Sequence, residues 1–238
     1  MELLKYTLYI NLEHRTDRLE HVKEELDKIG INGSAQRFSA VKMAAGNVGC
    51  TLSHIRCIEL AKSRGWPHVF ICEDDITFTD PAIFLKSLAE FELEKMLWNM
   101  LIIGGNNCPP FNQITESYAR VYNIQTTTGY IVNSNYYDIL LDNFKEGLGK
   151  LLRESDKKKY SLDIYWKTLQ SAGIWFMITP PTVIQYYDYS DIEEKVVDYG
   201  PMMLDLEKKE FIEKYMDEMA KQKIIQDKNQ FFSMSKKL

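Results

Sequence analysis

The chain has 238 residues, 45% of them hydrophobic and 26% charged, with a net charge of −5. That length suits one large α/β domain, or two small ones, with a buried core. The acidic balance excludes a general nucleic-acid binder, which needs basic surface for phosphates, and no apolar run approaches the ~20 residues that span a bilayer. The opening "MELLKYTLYINLEHR" lacks the basic flank, long apolar region and cleavage site of a signal peptide, so a cytoplasmic location is expected. Cys50, Cys57, Cys72 and Cys108 show neither a CxxC pair nor zinc spacing, and free thiols in a reducing compartment are expected.

"KYTLYINL" (5–12) alternates Tyr6, Leu8, Ile10 and Leu12 with Thr7, Tyr9 and Asn11, a first strand. "TDRLEHVKEELDKIGI" (16–31) reads as a helix with a stripe of Leu19, Val22, Leu26 and Ile29. Asp17 and Glu20 resemble a capping box at its start, and Gly30 ends it. "GNVGCTLSHIRCIELAKSRGW" (46–66) reads as a loop entering a second helix, closed by Gly65 and Pro67. In "HVFICEDDITF" (68–78) a buried strand, Val69–Cys72, runs into Glu73, Asp74 and Asp75. Asp80 and Pro81 form an N-cap and first-turn pair for a helix carrying Phe84, Leu88, Phe91 and Leu97.

"NMLIIGGNN" (99–107) is a further strand. "ARVYNIQ" (119–125) and "TTGYIVN" (127–133) read as strands joined by a Thr-rich turn, "SNYYDILLDNF" (134–144) as a capped helix, and "SAGIWFMITPP" (171–181) as a strand stopped by prolines. From Leu204 the chain is highly charged, with Phe211, Tyr215 and Met219 at helical spacing. One α/β domain over 1–200 is expected, with a helical extension over 201–238 packed on it. Strands alternating with helices in the first half predict a mostly parallel sheet there.

Ligands of open α/β sheets bind beyond the carboxyl ends of the strands, where Glu73, Asp74 and Asp75 are placed. Adjacent carboxylates raise one another's pKa, and a divalent cation, magnesium or manganese, removes that cost. The alternative is a solvated turn before Asp80. The absence of histidine after His68 argues against a histidine-rich zinc site. Asn11 ends the first strand, and Arg15 and Arg18 stand at the start of the helix after it, where a bound anion offsets their clash with the helix dipole; pairing with Glu13 or Asp17 is the alternative. Asp163, in "YSLDIYWKTL", reads as an N-cap or as a base facing a pocket. Glu73, Asp75 and Thr77 imitate the "DxDxT" of haloacid-dehalogenase-type phosphotransferases, but that chemistry needs aspartate at the first position. Tyr186, Tyr187 and Tyr189 form an aromatic cluster that reads either as an acceptor wall or as an edge strand.

Taken in order, "YINLEHRTDRLE", "GCTLSHIRCIELAKSRGWPHVFICEDDITF", "WNMLIIGGNN", "TTGYIVNSNYYDILL", "SLDIYW" and "YSDIE" resemble glycosyltransferase family 25, over about residues 6–194. Its members include lipooligosaccharide and procollagen galactosyltransferases and giant-virus relatives. The resemblance implies a GT-A fold, a Rossmann-like mixed sheet flanked by helices. It also implies a UDP-sugar donor, galactose favoured, a divalent metal, usually manganese, and a glycan or hydroxylysine-containing protein acceptor. By the same resemblance "EDD" is a variant "DxD" motif, with Asp75 on the metal, Glu73 on metal or ribose and Asp74 between them. Asn11, Arg15 and Arg18 lie near the nucleotide, Ser53 and His54 on the donor side, and Asp163 is the base of an inverting displacement. A nucleotide-sugar-binding domain without turnover is the alternative. A homo-oligomer is compatible with the amphipathic tail.

Overall fold

The computed structural model describes residues 1–190, 195–209 and 212–213. The chain divides into two compact units, Met1–Leu206 and Glu207–Leu238. The expected helical stripe of Phe211, Tyr215 and Met219 lies outside the described residues.

The first unit runs, in chain order, through β1 (Thr7–Asn11), α1 (Thr16–Lys28), β2 (Gln36–Ser39), α2 (Gly46–Ser63), β3 (His68–Glu73), β4 (Ile76–Phe78) and α3 (Pro81–Leu93). It continues with β5 (Met100–Asn107), β6 (Phe111–Gln113), β7 (Tyr118–Val121), β8 (Ile124–Asn133) and α4 (Tyr137–Glu154). The one-turn helices α5 (Lys157–Tyr160), α6 (Leu162–Tyr165) and α7 (Lys167–Gln170) follow, and then β9 (Trp175–Ile178), β10 (Val183–Gln185), β11 (Asp188–Ser190), β12 (Lys195–Val197) and α8 (Gly200–Leu204).

One eight-stranded sheet takes the order β2-β1-β3-β8-β5-β9-β7-β6. β2, β1 and β3 are parallel, as the first half of the sequence predicts, and β9 is parallel to β5. β8 is antiparallel to both β3 and β5, which makes the sheet mixed. The small pairs β4/β10 and β11/β12 lie apart from it.

Side chains alternate across a strand, and both faces of this sheet are covered. Leu8, Ile10, Val69, Ile71, Tyr130 and Trp175 pack with α2 and α4 residues on one face. Tyr9, Phe70, Cys72, Leu101, Ile131 and Phe176 pack with α1 and α3 residues on the other. Double coverage makes β1, β3 and β5 almost continuously apolar.

Several expectations are corrected. The N-cap of α1 is Arg15, with no side-chain cap; Asp17 instead accepts from Arg15, so no capping box forms. α2 begins at Gly46, and the segment read as an entering loop is already helical. α3 has the predicted Asp80 cap but stops at Leu93, and Leu97 is 78% exposed. The Thr-rich segment lies inside β8, and β7 and β8 are separated in the sheet by β5 and β9, so no hairpin joins them. The four cysteines are free, with Cys57 and Cys72 buried and Cys50 and Cys108 partly exposed. Among the described residues no helix is long and apolar enough to cross a membrane.

Gly49, in the first turn of α2, permits the segment after β2 to press on the helix: a Cβ there would lie 2.4 Å from Val41 O. Gly49→Ala is therefore expected to lower the melting temperature. The overpacking cost of about 1–3 kcal/mol outweighs the ~1 kcal/mol that alanine ordinarily contributes in a helix. Thermal unfolding decides this, and a stabilised variant would refute the close approach.

Candidate functional site

β1 and β3 are neighbours in register, Ile10 opposite Glu73, so Asn11 and the three carboxylates emerge at one edge of the sheet. Asp74 and Asp75 form the turn into β4, whose partner β10 brings in Gln185. The resulting cleft has a volume of about 370 Å³, with Arg15 and Arg18, the segment 40–46 and one face of α2 completing its walls.

The three carboxylates are held in three different ways. Asp74 accepts from Asn11 Nδ2 at 2.7 Å and from Arg18 at 3.2 Å. Asp75 Oδ2 accepts from Gln185 Nε2 at 2.8 Å and from Arg18 at 3.2 Å, and the Asp75 carbonyl accepts from Tyr186 N–H. Asp75 Oδ1 is buried and accepts no hydrogen bond from any described residue. Glu73 Oε1 instead accepts from the Thr127 hydroxyl and faces His54 Nε2 at 3.3 Å.

Their proton affinities follow these surroundings. Burial pushes Asp75 up to about 7, and the charges of Glu73 and Asp74 add to this while Arg18 opposes it. Burial also raises Asp74, with Arg18 and Asn11 in opposition. For Glu73 burial acts upward, but His54 and Thr127 outweigh it and hold the carboxyl below its ordinary value.

Arg18, His21 and Glu25 share one stripe of α1, three and four residues apart. His21 Nε2 lies 3.0 Å from Ile76 O, and buried Glu25 accepts the Phe78 N–H at 2.8 Å. These contacts fasten α1 to β4 and so aim Arg18 at the acidic turn. Arg18 also donates to Asp188 at 3.1 Å and to the Tyr189 carbonyl. Arg15 pairs with Asp17, as the alternative reading had it, and with Asp188 at 2.6 Å.

The other half of the wall comes from α2, with β8 side chains bonded to the residues that line it. The Ser53 hydroxyl donates to Gly49 O and accepts from Val41 N–H, both at 2.8 Å, so it pins the 41–44 segment to α2. His54 Nδ1 lies 2.9 Å from the Tyr130 hydroxyl. Asp163 is not an N-cap and does not line the cleft. Its carboxylate accepts the Thr126 N–H at 3.1 Å, at a residue whose φ of 76° is rare for a non-glycine. Burial raises Asp163, with Glu73 close enough to add to the shift.

The structure thus brings Asn11, Arg15, Arg18, His54, Glu73, Asp74 and Asp75 to one cleft, sets Ser53 in its wall and Asp163 behind it. Cys50, Thr127, Tyr130, Gln185 and Asp188 escaped the sequence reading. The spacing of Cys50 and His54, four residues apart on a helix, was the legible signal among them; Gln185 and Asp188 are joined to the site only by long-range pairing. The site suits a divalent cation on one count, the donor-free buried oxygen of Asp75.

A raised folded pKa means that the folded chain holds the Asp75 proton more tightly than the unfolded one. Stability from that proton is present below the ordinary value of 3.8 and is lost as pH rises through about 7. In chelator-treated protein, Asp75→Asn is expected to melt a few °C above the parent at pH 8, with the gap closing toward pH 4. Melting curves across that range test it; a gap independent of pH would sink the assignment.

Comparison with known proteins bears on the family and the fold. Residues 34–148 match the model of "Glycosyltransferase family 25 (LPS biosynthesis protein)". A Bos taurus protein described as "Probable inactive glycosyltransferase 25 family member 3" is 29% identical over 82 residues, 34% of this chain. The match spans only 14% of that relative's length. Among solved structures, a glycosyltransferase involved in glycosylation of the major capsid of PBCV-1 superposes with a TM-score of 0.52 at 13% identity, covering 79% of this chain and 95% of the other. A Drosophila β-1,4-galactosyltransferase 7 mutant, crystallised with manganese, UDP-Gal and xylobiose, reaches a TM-score of 0.44 at 10% identity, covering 82% and 75%; a likeness this distant carries no argument here. The fold is of the GT-A type, a mixed sheet flanked by helices, and residues 34–148, which contain α2 and all three carboxylates, are identified as a glycosyltransferase family 25 segment.

Proposed function

We propose that this chain transfers a sugar from a UDP-sugar, with galactose favoured, to a hydroxyl of a glycan or a hydroxylysine-containing protein, by direct inverting displacement. The observation that carries this reading is Asp75. It is a buried carboxylate with one oxygen that has no donor among the described residues, at the carboxyl end of the parallel strands, bonded to Arg18 and inside the segment that matches the family.

In this reading Asp75 holds a divalent cation, manganese favoured, with Asp74 beside it. Bound there, the cation supplies neutralising charge for the diphosphate leaving group. Arg15 and Arg18 bind the diphosphate, a planar donor set suited to phosphate oxygens, and Asn11 orients Asp74. Ser53, its hydroxyl already committed at both ends, serves the donor side by holding the 41–44 segment in place. Glu73 is engaged with His54 and Thr127, which favours a ribose or positioning role over that of principal metal ligand. It also leaves no nucleophile for the haloacid-dehalogenase alternative. Asp163 takes the acceptor proton, and burial raises its proton affinity, as suits a proton acceptor. Its place behind Thr126 requires the acceptor hydroxyl to reach past β8. The exposed rings of Tyr186, Tyr187 and Tyr189 offer sugars an apolar face near the cleft mouth.

A second reading, a nucleotide-sugar-binding domain without turnover, is favoured by the description of the bovine relative as probably inactive. Donor hydrolysis with manganese against a chelator control separates the two.

Asp75→Ala is expected to abolish manganese-dependent donor hydrolysis in a folded variant; persistence of that hydrolysis would overturn the metal assignment. Asp163→Asn is expected to lower the transfer rate ~10²–10⁴-fold with donor binding retained. Single-turnover transfer measures this, and near-normal turnover would require another base.

A further inference from the structure

The wall of the cleft where α2 meets the end of β3 holds a second set of donor atoms, chemically unlike the first. Cys50 and His54 are four residues apart on α2 and therefore project from one helix face. Glu73 enters from the end of β3. A cysteine sulfur, an imidazole nitrogen and a carboxylate oxygen from these residues lie within 4.8 Å of one another. In a tetrahedral zinc shell, with metal–donor distances of about 2.0–2.3 Å, neighbouring donors stand roughly 3.3–3.8 Å apart. Small side-chain adjustments bring this trio to that spacing. We propose that Cys50, His54 and Glu73 bind a thiophilic divalent cation of the zinc class, with the fourth coordination position open to the cleft.

Three observations support the site. The donor set is sulfur, nitrogen and oxygen, which selects zinc over manganese or magnesium, whereas the Asp75 position offers oxygen alone. Two of the ligands already have the outer partners that orient metal-binding groups: the Tyr130 hydroxyl on His54 Nδ1 and the Thr127 hydroxyl on Glu73 Oε1. With Nδ1–H donated to Tyr130, the Nε2 lone pair of His54 points toward Glu73, where the ion would sit. Third, all three ligands line the open cleft, which supplies the entry path and room for a water or substrate oxygen as fourth ligand.

The competing arrangement is the direct His54–Glu73 contact at 3.3 Å beside a protonated thiol. Burial raises the Cys50 thiol well above its ordinary value, so the ion must displace its proton. Metal binding accordingly releases a proton and weakens as pH falls. The inference stands on these three residues and does not depend on the glycosyltransferase reading, because its test uses no nucleotide and no sugar.

The experiment is a cobalt(II) titration of the metal-free full chain, followed by optical absorption and then by zinc competition. One equivalent of cobalt is expected to produce a thiolate-to-cobalt charge-transfer band with the strong visible bands of four-coordination, and zinc is expected to displace it. Cys50→Ser is expected to lose the charge-transfer band and to bind zinc at least ~10-fold more weakly. Tyr130→Phe keeps the band with affinity reduced ~10–100-fold. Asp75→Ala keeps band and affinity. Circular dichroism checks each variant's fold, and His54→Gln, which should bind cobalt at least ~10-fold more weakly, serves if Cys50→Ser does not fold. The absence of a thiolate band in the parent, or zinc binding undiminished in both Cys50→Ser and His54→Gln, would overturn the proposal, as would loss of the band in Asp75→Ala alone.

Discussion

Three like charges in sequence at the buried end of β3 are the constraint that the rest of this structure answers. Glu73, Asp74 and Asp75 cannot separate, because the parallel pairing of β1 with β3 and the return of β4 fix the backbone on either side of them. Nor can they retreat into solvent: Asp75 is 2% and Asp74 7% exposed. Buried carboxylates without counter-charge are strongly disfavoured, so the neighbouring elements are placed to supply donors. α1 is the chief of these. Its Glu25 and His21 are spent on fastening the helix to β4, and that attachment delivers Arg18 to both aspartates at 3.2 Å.

The answer is incomplete in an informative way. Arg18 and Arg15 are in ion-pair contact with Asp74, Asp75 and Asp188, so at this end carboxylates outnumber guanidiniums. Among the described residues, one oxygen of Asp75 has no donor. A protein lacking a functional reason to retain that oxygen has simple remedies, such as asparagine or one more donor on β10. At the other end, Glu73 is drawn off by His54 and Thr127 and is held below its ordinary proton affinity while Asp75 is pushed above. Opposite displacement of neighbouring carboxylates is the pattern expected where such groups take different roles. The cleft thereby acquires one end of hard oxygen donors and arginines, and another that mixes thiol, imidazole and carboxylate.

What was legible in the sequence follows from range. The fold's parallel half was readable because β1, α1, α2 and β3 each carry a local period and local stops; Gly30 and Gly65 do adopt the positive φ that ends their helices. The placement of β8 was not, since a strand inserted antiparallel between β3 and β5 leaves no mark on its own periodicity. The same distinction governs the site. Asn11, Arg15, Arg18 and the carboxylates lie at or just beyond the ends of the neighbouring strands β1 and β3, a position that left a ligand site and a solvated turn both open. Gln185 and Asp188 reach the cleft from more than a hundred residues further along the chain, through the β4/β10 pairing and the arginine contacts. The capping box failed because α1 starts at Thr16: Asp17 lies inside the helix and not at its N-cap, and its carboxylate accepts from Arg15.

The position of Arg18 has a consequence for how ligands enter. Its guanidinium already neutralises the two aspartates that a cation would use, so a cation arriving alone competes with a tethered positive charge that is always present at high local concentration. On the proposed function, a diphosphate would change that balance: it would offer Arg18 and Arg15 a doubly charged partner and, by drawing Arg18 from Asp74 and Asp75, would uncover their oxygens for the cation. Cation and diphosphate would then favour each other's binding, and by thermodynamic linkage the effect would be reciprocal. Asp188 completes the arrangement, since it holds the same two arginines on the opposite side and gives them a resting partner when no anion is present. Arginine is suited to this exchange and lysine is not, because the planar guanidinium bonds to two carboxylates at once and trades one for a phosphate without losing the other. Such coupling would require the resident counter-charge to move between partners, and Arg18 already bonds to Asp74, Asp75 and Asp188 at once.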